Sequence, residues 1–216
     1  MLLLAAPVAK AAHCGGDPGG SGPLKSKADK PARAEERPEY GLAFGSRAPE
    51  FKAASDTGVT YDLEQEIKAG PVVLVFYRGG WCPYCSKQLN ELKKLYPEIE
   101  KRGASLAAIS VDRVEKAAET RDKQEIGFPL LSDPDAEIVE KYNLILTLDE
   151  ATLSKYETYG IDVENASGRT HHQIAVPAVF IIGADGHIKW SYVNKDYKVR
   201  ADNEEILKVL DALNKR

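Results

Sequence analysis

Cysteine is scarce in this chain of 216 residues, and an excess of charge and long apolar runs are lacking. Three cysteines are too few for a scaffold held together by disulfides. No later segment approaches the apolar length that crosses a membrane, so we expect no integral membrane domain. The 29 basic and 33 acidic side chains leave a net charge of −4. That balance, with the basic residues spread along the chain, gives no electrostatic basis for binding nucleic acid.

The first 40 residues differ in composition from the rest of the chain. Residues 1–12 are small and apolar, and residues 15–40 are rich in Gly, Pro, Ser, Lys, Ala and Glu. The latter composition is typical of a flexible linker. We therefore expect residues 1–40 to be a leader, a candidate signal segment, followed by a linker, and residues 41–216 to form one domain. The leader favours a bacterial periplasm or cell envelope, although it lacks the positive charge that begins a signal peptide, and the cytoplasm is the alternative.

From residue 41 onward, short apolar segments alternate with amphipathic ones. The unbroken apolar run 72–77 predicts a strand that is buried on both faces. Strands that alternate with helices predict an α/β domain with parallel strands in its sheet. The same patterns predict a second buried strand over 105–111 and helices over 84–101, 113–125 and 203–213.

Two cysteines, Cys82 and Cys85, lie where the buried strand gives way to a helix. Pro83 suits the first helical turn, where its missing N–H costs nothing, so Cys82 is expected at the helix N-terminus. The positive end of the helix dipole favours a thiolate there, and the thiolate is the nucleophile. Cys85 can reach back and close a disulfide. The pair predicts a redox-active dithiol; the alternatives are structural cysteines or half of a zinc site, which would need a second pair of ligands.

Side chains near this pair are candidates for supporting roles. Trp81 is expected to cover the disulfide with its ring, or else to be a packing residue. Arg78 supplies positive charge near the thiolate or is a solvated arginine at the strand end. Tyr84 is expected to contact a partner at the surface. His171 and His172 are candidate proton donors or acceptors near neutral pH, with solvent-facing loop residues as the alternative.

A proline interrupts the apolar segment 174–182, which otherwise predicts a third buried strand with a hairpin to a strand over 187–193. Because proline has no N–H to donate, Pro177 is not expected inside a buried strand unless it has a special purpose. Between residues 143 and 173 the pattern loosens, apart from a helix-like piece at 149–159. This stretch predicts an excursion over the surface near the active end.

Together these segments resemble the thioredoxin superfamily. The resemblance is carried by the motif WCPYC at 81–85 after an apolar strand, by Val176-Pro177 before the third strand, and by the hairpin with its terminal helix. In that superfamily the corresponding proline is cis and lies beside the cysteine pair, which would explain Pro177. The implied fold is thioredoxin-like α/β, a central mixed β-sheet flanked by helices, with an insertion before the Pro177 strand.

Other segments are similar to the alkyl hydroperoxide reductase/thiol-specific antioxidant group, which contains the peroxiredoxins. They are APEF at 48–51, FPLLSDP at 128–134 and, for a peroxiredoxin-like subgroup, the tail at 196–200. This resemblance implies a peroxiredoxin-type N-terminal extension. In the tail, Asp196, Tyr197 and Arg200 are candidates for a polar cluster near the pocket, or for a structural hydrogen-bond network.

The peroxide pocket of that group is altered in this sequence. When the chains are aligned on Tyr77, Arg78 stands at the pocket's proline, Cys82 at its threonine or serine, and Cys85 at its peroxidatic cysteine. Pro177 falls where the pocket's arginine is expected. Thioredoxins in turn place a buried carboxylate six residues before the nucleophile, and Phe76 occupies that position here.

The sequence therefore predicts a thiol-based oxidoreductase that uses no metal or organic cofactor. Thiol–disulfide exchange is favoured: the resemblance to thioredoxin implies that Cys82 attacks, that a mixed disulfide forms against the Pro177 segment, and that Cys85 resolves it. Thiol-dependent reduction of hydroperoxides is the alternative, and a non-enzymatic redox switch is the third. The expected partners are protein disulfides or a hydroperoxide as substrate, and a thioredoxin-like protein or small thiol as reductant.

Overall fold

The structure, a computed structural model, describes residues 38–215. The predicted leader, and the predicted linker up to residue 37, lie outside the described residues. None of the helices that are described is both long enough and apolar enough to span a bilayer.

Residues 38–215 form nine strands and seven helices. The strands are β1 (Lys52–Ser55), β2 (Thr60–Asp62), β3 (Val72–Phe76), β4 (Ser105–Ser110), β5 (Leu130–Ser132), β6 (Ile145–Thr147), β7 (Gln173–Ala175), β8 (Ala178–Ile182) and β9 (Ile188–Val193). The helices are α1 (Leu63–Ala69), α2 (Pro83–Glu100), α3 (Val114–Gln124), α4 (Glu137–Lys141), α5 (Glu150–Thr158), α6 (Val163–Ser167) and α7 (Asn203–Leu213).

Seven of these strands form one sheet in the order β2-β1-β5-β4-β3-β8-β9. Strand β3 pairs in parallel with β4 and antiparallel with β8, and β8 forms the predicted hairpin with β9. Strands β1 and β2 extend the sheet beyond β5 at its other edge. The predicted central mixed sheet is thereby confirmed, and β3, which precedes the cysteine pair, lies inside it.

The central strand is buried on both faces because helices cover both sides of the sheet. Successive side chains of a strand point to opposite faces. Val73 and Val75 accordingly pack in the cluster that includes α2 and α7, whereas Leu74 and Phe76 pack in the cluster on the other face. The continuous apolar run predicted this arrangement.

Helix α2 begins at Pro83, one residue after Cys82, as its sequence predicts. Its buried face includes Cys85, Leu89 and Leu92, which lie at helical spacing against the sheet. Cys85 therefore shares the packed side of the helix, while Cys82 is the cap residue at its end. The two thiols are placed in different surroundings by the helix itself.

The expectation of a cis peptide bond before Pro177, inside a single strand, is wrong. Segment 174–182 is two strands rather than one: β7 pairs with β6 in a separate two-stranded sheet, and β8 belongs to the main sheet. Pro177 lies at the point where the chain passes from one sheet to the other. Because no strand pairing requires an N–H at this point, a proline is tolerated there. None of the peptide bonds in residues 38–215 is cis, so the Val176–Pro177 bond is trans.

The insertion before β8 is more ordered than its sequence suggests. The helix-like piece is confirmed as α5, whose cap residue Asp149 accepts a 2.8 Å hydrogen bond from the backbone N–H of Thr152. Strand β6 and helix α6 were not predicted, because they are only three and five residues long. Helix α5 has no fully buried residue, but Tyr156 packs against the core. Its ring centroid also lies 5.6 Å from that of Trp81, and this contact places α5 next to the cysteine pair.

Candidate active site

A tight loop carries the chain from β3 to Cys82. The backbone N–H of Gly80 donates a 2.6 Å hydrogen bond to Oδ2 of Asp112, which follows β4. A Cβ atom at position 80 would collide with Oγ1 of Thr120, so glycine is needed for this close approach. The loop is thus fixed against the neighbouring strand and helix just before the cysteine.

The surroundings of Cys82 favour its thiolate. The pKa of Cys82 is lowered to about 6, chiefly by a hydrogen bond from the Cys85 thiol. Backbone N–H groups of the first turn and the positive charge of Arg78 add to this effect. Nη1 of Arg78 lies 3.8 Å from the Cys82 sulfur. Because a free cysteine has a pKa of about 8.5, Cys82 is the more ionised thiol at neutral pH.

The surroundings of Cys85 favour its neutral thiol. Burial raises the pKa of Cys85 well above its ordinary value, and the adjacent Cys82 thiolate raises it further. Nη2 of Arg200 lies 3.4 Å from the Cys85 sulfur and opposes this shift. Neither Cys82 nor Cys85 is in a disulfide in the structure. The two thiols therefore differ in their preferred state: Cys82 favours the thiolate and Cys85 the neutral thiol.

An aromatic cage surrounds the guanidinium of Arg78, which is only 4% exposed. Its central carbon lies 4.1 Å from the ring centroid of Tyr197, 5.2 Å from that of Trp81 and 5.5 Å from that of Tyr156. Arg78 donates hydrogen bonds to the Cys82 sulfur and to the Tyr156 hydroxyl, and its Nε has no partner. The cage holds a positive charge beside Cys82 by cation–π contacts.

Cys82 reaches solvent through a cavity of about 540 Å³ between the start of α2 and the insertion. The residue is only 1% exposed, and the cavity is the open space that it borders. The described residues that line it are Arg78, Trp81, Cys82, Pro83, Tyr84, Thr152, Lys155, Tyr156, Tyr159, Ile161 and Tyr197.

A buried carboxylate is present, although it is not at the position of Phe76. Asp112 is 1% exposed, its Oδ1 has no hydrogen-bond partner, and burial raises its pKa to about 6. It comes from the carboxyl end of the strand parallel to β3. A carboxylate directly after a neighbouring buried strand was the sequence signal for it, because the carboxyl ends of parallel strands meet at one edge of a sheet.

The two candidate histidines make their hydrogen bonds away from the cysteine pair. His171 bonds the carbonyl oxygen of Pro134, and His172 bonds Glu164. Within residues 38–215, the side chains other than cysteine that make hydrogen bonds to a sulfur of the pair are Arg78 and Arg200. The histidines thus have other partners.

Of the candidate tail residues and Pro177, some reach the cysteine pair and others do not. Tyr197 and Arg200 reach the site, whereas Asp196 accepts a hydrogen bond from the backbone N–H of Lys198 in its own turn. Pro177 lines a small space beside Gln88 and Arg200, on the Cys85 side, and is not among the residues that line the Cys82 cavity.

The pH dependence of alkylation tests the difference between the two thiols. In the reduced protein, the rate of Cys82 alkylation by iodoacetamide is expected to rise with a midpoint near pH 6, because the thiolate is the reactive form. Replacing Cys85 with alanine removes the strongest stabilising hydrogen bond and should move the midpoint upward. The rates are measured by mass spectrometry of peptides.

An Asp112→Asn variant is the control, since Asp112 also titrates near pH 6. The asparagine keeps an acceptor for Gly80, so the alkylation midpoint should stay near 6 if it belongs to Cys82. A wild-type midpoint near that of a free cysteine would show that the site does not activate this thiol.

Comparisons with known proteins agree with this fold. Residues 44–191 match the AhpC/TSA family. The thiol-disulfide oxidoreductase ResA of Bacillus cereus is 30% identical over 108 residues, 50% of this chain and 61% of that protein. A 1-Cys peroxiredoxin of Triticum aestivum is 24% identical over 180 residues, 80% of this chain and 73% of that one. The crystal structure of peroxidoxin BcpB from Mycobacterium tuberculosis, 21% identical, matches 79% of this chain and 97% of its own with a TM-score of 0.62, which confirms the predicted fold.

Proposed function

The chain belongs to the AhpC/TSA family of thiol-based oxidoreductases, and on that basis we propose that it catalyses thiol–disulfide exchange through Cys82 and Cys85. The observation that carries this proposal is the unequal environment of the two thiols. Both residues are buried, but Cys82 lines an open cavity and has a pKa lowered to about 6, whereas Cys85 does not line this cavity and has a raised pKa. Disulfide exchange needs one accessible thiolate and one nearby thiol that reacts second.

The reaction has two displacement steps. In the first, the Cys82 thiolate attacks one sulfur of the substrate disulfide, the substrate S–S bond breaks, and one half leaves as a thiolate that takes a proton from water. In the second, Cys85 gives its proton to water and its thiolate attacks the Cys82 sulfur, which breaks the mixed disulfide. The second half of the substrate leaves as a thiolate that takes a proton from water, and the Cys82–Cys85 disulfide forms, so two electrons have passed from the pair to the substrate. A dithiol protein or a small thiol then restores the pair.

Arg200 acts on the second step. While Cys82 is a thiolate, its charge helps to raise the pKa of Cys85. That charge disappears when Cys82 enters the mixed disulfide, so the pKa of Cys85 falls at the moment when its thiolate is required. The guanidinium of Arg200, 3.4 Å from the sulfur, then stabilises the new thiolate. Each cysteine thus has an arginine for the step in which it is the nucleophile.

The position of the cavity bears on how substrates approach. The resemblance to thioredoxin implies that a mixed disulfide forms against the Pro177 segment. The open space beside Cys82 is lined instead by α5 residues and Tyr197. This arrangement supports an approach between the start of α2 and the insertion.

Hydroperoxide reduction is the second candidate function, and the contact between Arg78 and Cys82 favours it. A Cys82 thiolate would attack a peroxide oxygen, release an alcohol or water and become a sulfenic acid. Cys85 would then condense with this sulfenic acid, releasing water and forming the same disulfide. Attack by Cys85 itself is disfavoured, because burial and the adjacent thiolate keep that sulfur protonated.

Steady-state reduction of disulfides by dithiothreitol tests the proposed function. Catalytic amounts of the protein are expected to accelerate the reduction of insulin or of hydroxyethyl disulfide at least tenfold over dithiothreitol alone, because Cys82 is largely ionised at pH 7. Protein alkylated at Cys82 is the matched control and should give the uncatalysed rate. Consumption of hydrogen peroxide without faster reduction of either disulfide would overturn the proposal in favour of the second candidate.

A further inference from the structure

We propose that the cavity over Cys82 binds a small organic substrate with an apolar, preferably aromatic, body and a negatively charged group. This inference rests on the proposed function, because it names the kind of disulfide that Cys82 attacks. It is carried by the size of the cavity, the rings in its wall and the sign of the charges around it.

The size of the cavity matches a small molecule. Its volume of about 540 Å³ falls in the range of roughly 300–1,000 Å³ that ligand pockets occupy. Cys82 forms part of the wall, so a bound disulfide would lie next to the attacking sulfur. Reaction inside such a space gains from orientation, since the two sulfurs are held close before the bond forms.

Aromatic side chains give the cavity its apolar character. Five rings line it: Trp81 and Tyr84 near α2, Tyr156 and Tyr159 in the insertion, and Tyr197 in the tail. Tyr84 and Tyr159 are also 40% and 67% exposed, and they are among the few large hydrophobic side chains of residues 38–215 that are exposed. Rings exposed at the rim of a concave site offer flat surfaces on which an aromatic group can stack.

The charged side chains that line the cavity, apart from the Cys82 thiolate, are positive. Arg78 and Lys155 line it, and none of the described residues in its wall is acidic. The whole chain is acidic, with a net charge of −4, so this is a local feature. The Cys82 thiolate offsets one of the two positive charges, and the other is left for a ligand. A low-dielectric wall of rings strengthens that attraction.

Stopped-flow kinetics with three disulfides test the inference. They are 5,5′-dithiobis(2-nitrobenzoate), which is aromatic and anionic, 4,4′-dithiodipyridine, which is aromatic and neutral, and cystamine, which is aliphatic and cationic. Each rate constant is divided by that of 2-mercaptoethanol thiolate with the same disulfide, which removes intrinsic reactivity. The ratio is expected to be highest for the anionic aromatic disulfide and about tenfold or more above that of cystamine.

Variants of the cavity separate charge from ring contacts. Lys155→Met should lower the ratio for the anionic disulfide more than that for the neutral one, and Tyr159→Ala should lower both aromatic ratios. Lys141→Met is the matched control, because it removes the same charge from an exposed helix residue that does not line the cavity. An equal fall with Lys141→Met would show that only the net charge of the protein matters.

A redox-inert ligand keeps this inference separate from the proposed function. 4-Nitrobenzoate should slow alkylation of Cys82 by iodoacetamide, whereas neutral 4-nitrobenzamide should protect less. If cystamine gave a ratio as high as that of the anionic disulfide and 4-nitrobenzoate gave no protection, the cavity would not be an anion site, although exchange would stand. Protection by 4-nitrobenzoate with no disulfide reacting faster than a free thiolate would instead retain the binding site and reject the exchange function.

Discussion

Replacing Cys82 with serine is expected to abolish disulfide reduction, with a loss of roughly a thousandfold or more, because a serine hydroxyl cannot replace the thiolate nucleophile at neutral pH. Replacing Cys85 with serine should instead allow the first step and block the second. The protein would then accumulate as a mixed disulfide with one half of the substrate attached to Cys82. Steady-state assays and mass spectrometry of the intact variants measure the two results.

Both variants also carry a Cys14→Ser substitution. Cys14 is the third cysteine of the sequence, and its removal leaves Cys82 and Cys85 as the source of all thiols. The doubly substituted Cys82→Ser, Cys85→Ser protein gives the baseline. Equal residual activity in the two single variants would contradict the assigned order of attack. Accumulation of a substrate adduct on Cys85 in the Cys82→Ser protein would reverse the roles of the two cysteines.

Replacing Arg200 with methionine is expected to slow the second step about tenfold at pH 7. Loss of the positive charge 3.4 Å from the Cys85 sulfur should raise the pKa of that thiol in the mixed disulfide and so leave less of the attacking thiolate. The first step depends mainly on Cys82 and Arg78 and should change less. Single-turnover experiments with a chromogenic disulfide separate the two steps, because each releases one leaving group. The second release should lag behind the first in the variant.

The pH dependence distinguishes this role from simple disruption of packing. Because the variant's Cys85 pKa is higher, its deficit should be largest at low pH and should shrink as pH rises and the thiol ionises. Arg200→Lys should restore part of the rate by returning the charge, and Lys198→Met is the matched control for a lost charge nearby. A deficit that is the same at every pH, or that lysine does not repair, would reject an electrostatic role for Arg200.

The local arrangement of the site was predictable from the sequence. An unbroken apolar run followed by Pro83 and helical spacing predicts β3 and α2, and it places Cys82 at the helix end. These features depend on side chains within a few residues of one another, where backbone preferences and burial act together. The order of thiol reactivity follows from the same segment, because Cys85 lies on the helix face that packs against the sheet.

The partners of the two cysteines were less predictable, because they come from distant parts of the chain. Arg200 is 115 residues from Cys85, and Tyr156 is 78 residues from Arg78. No sequence spacing relates such residues, and only the packing of α5 and the tail against the start of α2 joins them. Pro177 was misjudged for a related reason: β7 and β8 follow one another as a single apolar segment, and only strand pairing shows that they belong to different sheets.

The most direct measurement is a stopped-flow comparison of hydrogen peroxide and a disulfide as oxidants of the reduced protein at pH 7. Tryptophan fluorescence follows oxidation, and mass spectrometry of quenched samples assigns the species on Cys82. Exchange as the main activity predicts that the disulfide reacts at least about a hundredfold faster than the peroxide, by way of a mixed disulfide at Cys82. A saturable peroxide reaction that is faster than that of any disulfide, with a sulfenic acid on either cysteine, would contradict it and identify the protein as a peroxidase.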